Sequence, residues 1–219
     1  TKSKIANKFL QIANQKVIDW ETNNSISDRA KNIVAYSFVG VLGIQLRKLF
    51  AIGKEPFSET KIKKYLTNSI LTAKRTLKLV CFAMISKLWD AKKLNDYTLT
   101  ESQRSVLEKF FNDVFDLDIQ GYLDLMNTLF DIFETYRISF PMDELKSFKI
   151  ELEPNSDLRQ AIKKLQQTYI KLEKNKQRLP DCFLAERQLT KVLEKFSFLA
   201  SYRMVSIKDV KYEEDRSKK

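Results

Sequence analysis

The amino-acid sequence predicts a mostly α-helical protein, a bundle of about six to seven helices around a buried central helix at 28–52. The chain has only four Gly and four Pro in 219 residues, whereas average usage is roughly 7 % and 5 %. A β-sandwich or an α/β fold needs more turns than this composition provides. Apolar residues also recur at spacings of three and four over long stretches, which is typical of amphipathic helices.

The predicted central helix contains an uncharged stretch, 33–46, flanked by Lys31 and Arg47. Its apolar side chains would fall on all sides of a helix, so we expect neighbouring helices to bury it on every face. A membrane hairpin is the alternative, but the stretch is shorter than the roughly 20 residues that a span needs, and charges crowd both flanks. Gly40 and Gly43 cost about 1 kcal/mol each in a helix interior, which predicts close approach of another helix.

Other helices follow from apolar periodicity and capping residues. Ser58 is a natural N-cap, and so are Thr100 and Ser156. The predicted helices, in addition to the central one, cover 3–21, 59–94, 100–115, 119–137, 156–179 and 181–200.

The C-terminal part is predicted to be a helical hairpin with a minor β ribbon. The two helices on either side of Pro180 would pack antiparallel. Residues 147–153 alternate apolar and charged side chains, which is a strand pattern, and could pair with the extended-looking segment after Tyr202. We predict a helical bundle at 1–140 and the hairpin with its ribbon at 141–219, packed as two domains or as one.

The composition excludes several classes of active site. The chain contains no histidine, which removes Ser-His-Asp and Cys-His catalysis and His-ligated metal sites. Cys81 and Cys182 lack a CxxC spacing and are predicted to be reduced thiols in an intracellular, cytoplasmic protein. We therefore predict no catalytic residues, no metal site and no cofactor.

The net charge of +11 is unevenly distributed. Residues 1–95 carry +12, residues 96–157 carry −9 and residues 158–219 carry +8. Such blocks predict either internal neutralisation or a bipolar surface for docking. Five cations share one stripe of the helix at 59–94 and could contact nucleic-acid phosphates, or could simply be solvated: Lys63, Lys64, Lys74, Arg75 and Lys78.

One short segment, 116–127, is similar to an EF-hand calcium loop. Three of the features that carry the resemblance are Asp116, Asp118 and Gly121, at the first, third and sixth positions of such a loop. The resemblance implies a calcium site, but Asn127 stands where the family needs a bidentate Glu. The other interpretation is a turn between helices, with Asp118 as an N-cap.

The helix after Ser156 has apolar residues at coiled-coil spacing. This seam would pack on the last helix of the same chain, or would receive a helix of a partner. Its predicted interaction residues are Leu158, Ile162, Leu165, Tyr169 and Leu172.

These patterns predict a non-enzymatic α-helical interaction or scaffold domain of a larger intracellular assembly, with a protein partner. The alternative hypothesis is a basic nucleic-acid-binding domain that contacts phosphates through the Lys/Arg stripe. No membrane span is predicted, and the oligomeric state stays open.

Overall fold

The computed structural model describes residues 28–38, 40–94, 98–112 and 117–203. The prediction of a mostly α-helical chain is confirmed, because the described residues form helices and no strand. The α-helices are α1 (Asp28–Ser37), α2 (Gly40–Lys54), α3 (Glu59–Leu94), α4 (Glu101–Asn112), α5 (Ile119–Thr135), α6 (Asp157–Glu173) and α7 (Leu179–Lys195). Two 3-10 helices, Asp143–Leu152 and Ser197–Ser201, complete the described elements.

The single central helix predicted at 28–52 is wrong, because the chain breaks between α1 and α2 and the two helices pack on each other. Gly43 permits this contact, since a Cβ atom there would lie 2.3 Å from the carbonyl oxygen of Ala35. Gly40 does not have such a role, because a Cβ atom there would meet nothing within 4 Å. Burial on every face is also wrong, since the outer side of this pair exposes Tyr36 and Ile44.

The helix around which the described fold is organised is α3, which packs against α2, α5, α6 and α7. Its predicted boundaries and N-cap are confirmed, since the backbone N–H of Lys61 donates to Ser58 Oγ at 3.0 Å. With 36 residues and a rise of 1.5 Å per residue, α3 is about 54 Å long. It contacts α2 and α5, which belong to the predicted bundle at 1–140, and also α6 and α7, which belong to the predicted hairpin at 141–219.

A row of hydroxyl side chains lies on the buried side of α3. Ser69, Thr72 and Thr76 each donate a hydrogen bond to the carbonyl oxygen four residues earlier, at 2.9, 2.6 and 2.9 Å. These local bonds satisfy the hydroxyl donors without a partner on another helix. The row is therefore compatible with burial on the side of α3 that faces the core.

The helices α6 and α7 pack as an antiparallel hairpin. Lys171 pairs with Asp181 at 2.6 Å beside the turn, and Lys191 pairs with Asp157 at 2.7 Å at the opposite end. Although burial alone would raise the pKa of Asp181, the Lys171 ammonium group and the backbone N–H of Arg178 hold that pKa below its ordinary value. The ionised carboxylate thus ties the end of α6 to the start of α7.

The strand predicted at 147–153 is wrong, because this segment belongs to the 3-10 helix Asp143–Leu152. Leu145, Phe148 and Leu152 are buried at spacings of three and four, while Ile150 is 68 % exposed. The ring of Phe148 lies 4.9 Å from that of Phe196, centroid to centroid, so it joins the aromatic core instead of a sheet face. The other half of the predicted ribbon, after Tyr202, falls almost entirely at 204 and beyond, outside the described residues. The helix predicted at 3–21 also lies outside them.

Candidate docking face on the outer side of α3

The solvent side of α3 carries a second stripe of side chains, distinct from the stripe that enters the core. Its members step by three and four along the helix, so they lie on one side. We call this stripe the outer face of α3, and none of its residues is buried. The outer face consists of Lys64, Thr67, Leu71, Arg75, Lys78, Phe82, Ile85 and Trp89.

The N-terminal two-thirds of the outer face is cationic. All five residues of the predicted Lys/Arg stripe lie on or beside it, with two exposed and three half-buried. The exposed pair is at the start of α3, and the half-buried group is near its middle, where α5 packs alongside. In chain order these residues are Lys63, Lys64, Lys74, Arg75 and Lys78.

Contacts within the chain hold several of these cations in place. The ammonium group of Lys64 lies 3.5 Å from the carboxylate of Glu55, an exposed pair that solvent screens. The Nζ atom of Lys74 lies 5.8 Å from the ring centroid of Tyr122 on α5. The Nζ atom of Lys78 lies 5.4 Å from the ring centroid of Phe82. The middle of the stripe therefore borders aromatic rings, at cation–π distances.

The C-terminal third of the outer face is aromatic and apolar. Trp89 is 62 % exposed and Phe82 is 43 % exposed, with Ile85 half-buried between them. In the sequence the apolar face of this helix widens past Leu79 to take in Phe82, Ile85 and Trp89, which predicts deeper burial of its second half. That prediction is wrong for Phe82 and Trp89. Met84 and Leu88 fill the core on the opposite side of the helix, so the aromatic residues stay outside. Large apolar side chains that adjoin each other at the surface are characteristic of interaction sites.

A neighbouring helix extends this aromatic surface. Phe110 on α4 makes an edge contact with Phe82, with ring centroids 5.5 Å apart. Phe110 also contacts Phe111, at 5.2 Å, and Phe111 is 55 % exposed. The aromatic end of the outer face is thus supported by α4 and is broader than one helix.

The acidic segment at 96–157 neutralises cations of the C-terminal half in several places. Glu151 pairs with Lys195 at 2.6 Å, and Asp157 pairs with Lys191 at 2.7 Å. Asp124 lies 3.9 Å from Arg159. Within the described residues, part of the acidic charge is therefore used to hold α6 and α7 to the fold.

The interaction seam predicted on α6 is mostly buried inside this chain. Leu158, Ile162 and Leu165 are fully buried and Leu172 is 7 % exposed, in a core that α7 helps to form. Tyr169 is the member of the seam at the surface, with 36 % of its area exposed. A partner helix could reach the buried four only if α6 separated from its neighbours.

The segment that resembles a calcium loop is helical from Ile119 onward, since α5 runs through Asp124 and Asn127. Both carboxylate oxygens of Asp118 are engaged. One accepts the backbone N–H of Gly121 at 2.7 Å and the other accepts from Gln166 Nε2 at 2.8 Å. The interpretation as an N-cap between helices is therefore confirmed. Asp116, at the first position of the resembled loop, lies outside the described residues.

Comparison with known proteins gives no family for this chain. Searches against protein-family models, curated proteins and solved structures found no match. Across 28–38, 40–94, 98–112 and 117–203, no cluster of three or more His, Cys, Asp or Glu side chains could hold a metal ion. No helix in the same part of the chain combines the length and apolar character needed to cross a membrane.

Proposed function

We propose that this chain is a non-enzymatic interaction domain whose outer face on α3 binds an acidic, amphipathic helix of a partner protein. The observation that carries the proposal is the continuity of the outer face, where Lys64, Arg75 and Lys78 lead directly into Phe82 and Trp89. Spacing by three and four is the arrangement that receives a partner helix through its own i, i+3, i+4 and i+7 anchors.

The two ends of the outer face define the partner's chemistry. From Lys64 to Trp89 the face is about 38 Å long at the rise of an α-helix, which suits a partner helix of about seven turns. Carboxylates on the partner would pair with the cationic end and give orientation and salt dependence. Apolar side chains on the partner would cover Phe82, Ile85 and Trp89 and supply most of the binding energy, since exposed aromatic anchors dominate interfaces.

Nucleic-acid binding is the second candidate, and one observation favours it. Exposed aromatic rings stand in line with cations, which is how single-stranded nucleic acids are bound through phosphates and stacked bases. The surroundings of Phe82 argue against this use. Lys78 lies near its ring, and the ring of Phe110 makes an edge contact with it. The Phe82 ring is therefore partly occupied as a stacking surface, while its exposed part can still contact an apolar side chain.

A designed peptide tests the proposal. The probe is a fluorescein-labelled helical peptide with Glu residues spaced to meet the cationic end and Leu and Phe residues spaced to meet the aromatic end. We expect micromolar binding by fluorescence anisotropy, and weaker binding as salt rises. Phe82→Ala combined with Trp89→Ala should weaken the affinity at least about 30-fold, the effect of losing one strong anchor of about 2 kcal/mol.

Matched controls show whether the loss of peptide affinity is specific to the outer face. Phe57→Ala removes another exposed aromatic side chain, 69 % exposed in the loop before α3, and should leave peptide affinity unchanged. A peptide of the same composition in scrambled order should bind weakly. The proposal fails if the double variant binds the peptide like the parent. Tight binding of single-stranded RNA or DNA that is lost when Lys63, Lys74, Arg75 and Lys78 are changed to Glu would favour the second candidate instead.

A further inference from the structure

A second charged surface lies away from α3, in a shallow cleft between α1 and α2. The cleft has a volume of about 210 Å³, and the two helices that form it are in close contact at Gly43. Three of its lining residues are cations and one is an amide. The lining residues are Lys31, Asn32, Arg47, Phe50, Ala51 and Lys54.

The sequence around this cleft is uniformly basic. Between Arg29 and Lys54 the chain has no Asp or Glu, so α2 and the adjoining part of α1 offer no carboxylate of their own to the cleft. The guanidinium carbon of Arg47 lies 5.0 Å from the ring centroid of Tyr36. That contact holds Arg47 beside the cleft and reduces the entropy it loses when it binds an anion.

Two large side chains are exposed near the basic cleft. Tyr36 is 72 % exposed and Ile44 is 54 % exposed. Tyr36 contacts Arg47, and Ile44 lies one turn before Arg47 on α2. Cations and exposed apolar groups on one short helical surface are the combination that binds at the interface of an anionic membrane.

We infer that the cleft between α1 and α2 binds the phosphate of an anionic lipid headgroup at a membrane surface. Lys31 and Arg47 pair with the phosphate, and the guanidinium group supplies bidentate donors for its oxygens. Tyr36 and Ile44 enter the boundary between headgroups and acyl chains. Inorganic phosphate would contact the cations alone and would leave Tyr36 and Ile44 exposed to water. These side chains therefore favour a lipid as the source of the phosphate.

Vesicle binding by the full chain tests this inference. The probes are phosphatidylcholine vesicles, the same vesicles containing a phosphatidylinositol phosphate, and inorganic phosphate in solution. We expect the protein to float with the phosphoinositide vesicles and not with plain phosphatidylcholine. Changing Lys31→Gln together with Arg47→Gln should lower the partition coefficient at least about tenfold, since each cation near an anionic surface contributes about fivefold.

Two further variants show whether a loss of vesicle binding comes from the cleft itself, from the change in net charge or from misfolding. Lys163→Gln with Lys164→Gln removes the same charge from the exposed side of α6 and should bind vesicles nearly as the parent does. Ile44→Ser keeps every charge and should weaken vesicle binding several-fold, with an unchanged circular dichroism spectrum. Equal loss in both double variants would overturn the inference. Saturable binding of inorganic phosphate without any binding to the vesicles would also overturn the inference.

Discussion

Replacing Phe148 with Ala is expected to lower the free energy of unfolding by about 3–5 kcal/mol, the usual loss for a buried Phe. Phe148 lies in the 3-10 helix Asp143–Leu152 and is only 6 % exposed. Its ring is 6.3 Å from that of Phe130 on α5 and 4.9 Å from that of Phe196 at the end of α7. The truncation leaves a cavity where three elements meet. Urea denaturation followed by circular dichroism measures the loss.

Ile150 is the matched control for Phe148. A strand would place both side chains on one face, whereas the 3-10 helix leaves Ile150 68 % exposed. We therefore expect Ile150→Ala to change stability by less than about 0.5 kcal/mol, as for most surface positions. Similar losses in the two variants would show that the segment is a half-buried strand, and this part of the fold would be contradicted.

Replacing Gly43 with Ala is expected to destabilise the protein by about 2–3 kcal/mol, at the upper end of the range for overpacking. The new Cβ atom would lie 2.3 Å from the carbonyl oxygen of Ala35. That oxygen belongs to the backbone of α1 and cannot rotate away, so α1 and α2 must separate. The gain in helix propensity, about 1 kcal/mol, offsets only part of this cost. Thermal unfolding in matched buffers measures the difference.

Gly40 provides the control for Gly43, because a Cβ atom there would meet nothing within 4 Å. Gly40→Ala should be neutral or should stabilise the protein by up to about 1 kcal/mol, since Ala is the better helix former. If Gly40→Ala were the more damaging substitution, the chain would not turn as described between α1 and α2. Stabilisation by both substitutions would instead argue for one continuous helix.

Helices with clear caps and one apolar stripe were predictable from the sequence. Ser58 begins α3, and the reciprocal hydrogen bonds of Thr100 and Gln103 begin α4. The break before α2 was not predictable in this way, because no proline marks it and the contact at Gly43 that accompanies it is tertiary. The strand error has a related cause. Apolar residues at 148, 150 and 152 fit both alternation and a 3-10 turn, and only the aromatic core decides between them.

The outer face of α3 was only half predicted, for a physical reason. The cationic stripe follows from helical spacing, and in the structure its residues lie on or beside the outer face of α3. Periodicity alone would place Phe82 and Trp89 in the core, because it identifies residues that share a side without saying which side is covered. Two apolar stripes run along the second half of α3, and the positions of α4 and α5 determine which one is buried. The spacing of Lys78, Phe82, Ile85 and Trp89 by three and four was the available signal.

Site-specific photo-crosslinking tests the proposed docking most directly. Benzoylphenylalanine would replace Trp89 in the full chain in its native cells, and Phe57, an exposed aromatic residue off the outer face, would be replaced in a parallel control. The proposal expects a discrete crosslink from position 89 alone, to a protein whose crosslinked segment is an acidic amphipathic helix by mass spectrometry. Crosslinks to nucleic acid at position 89, or the same crosslinks from both positions, would contradict it.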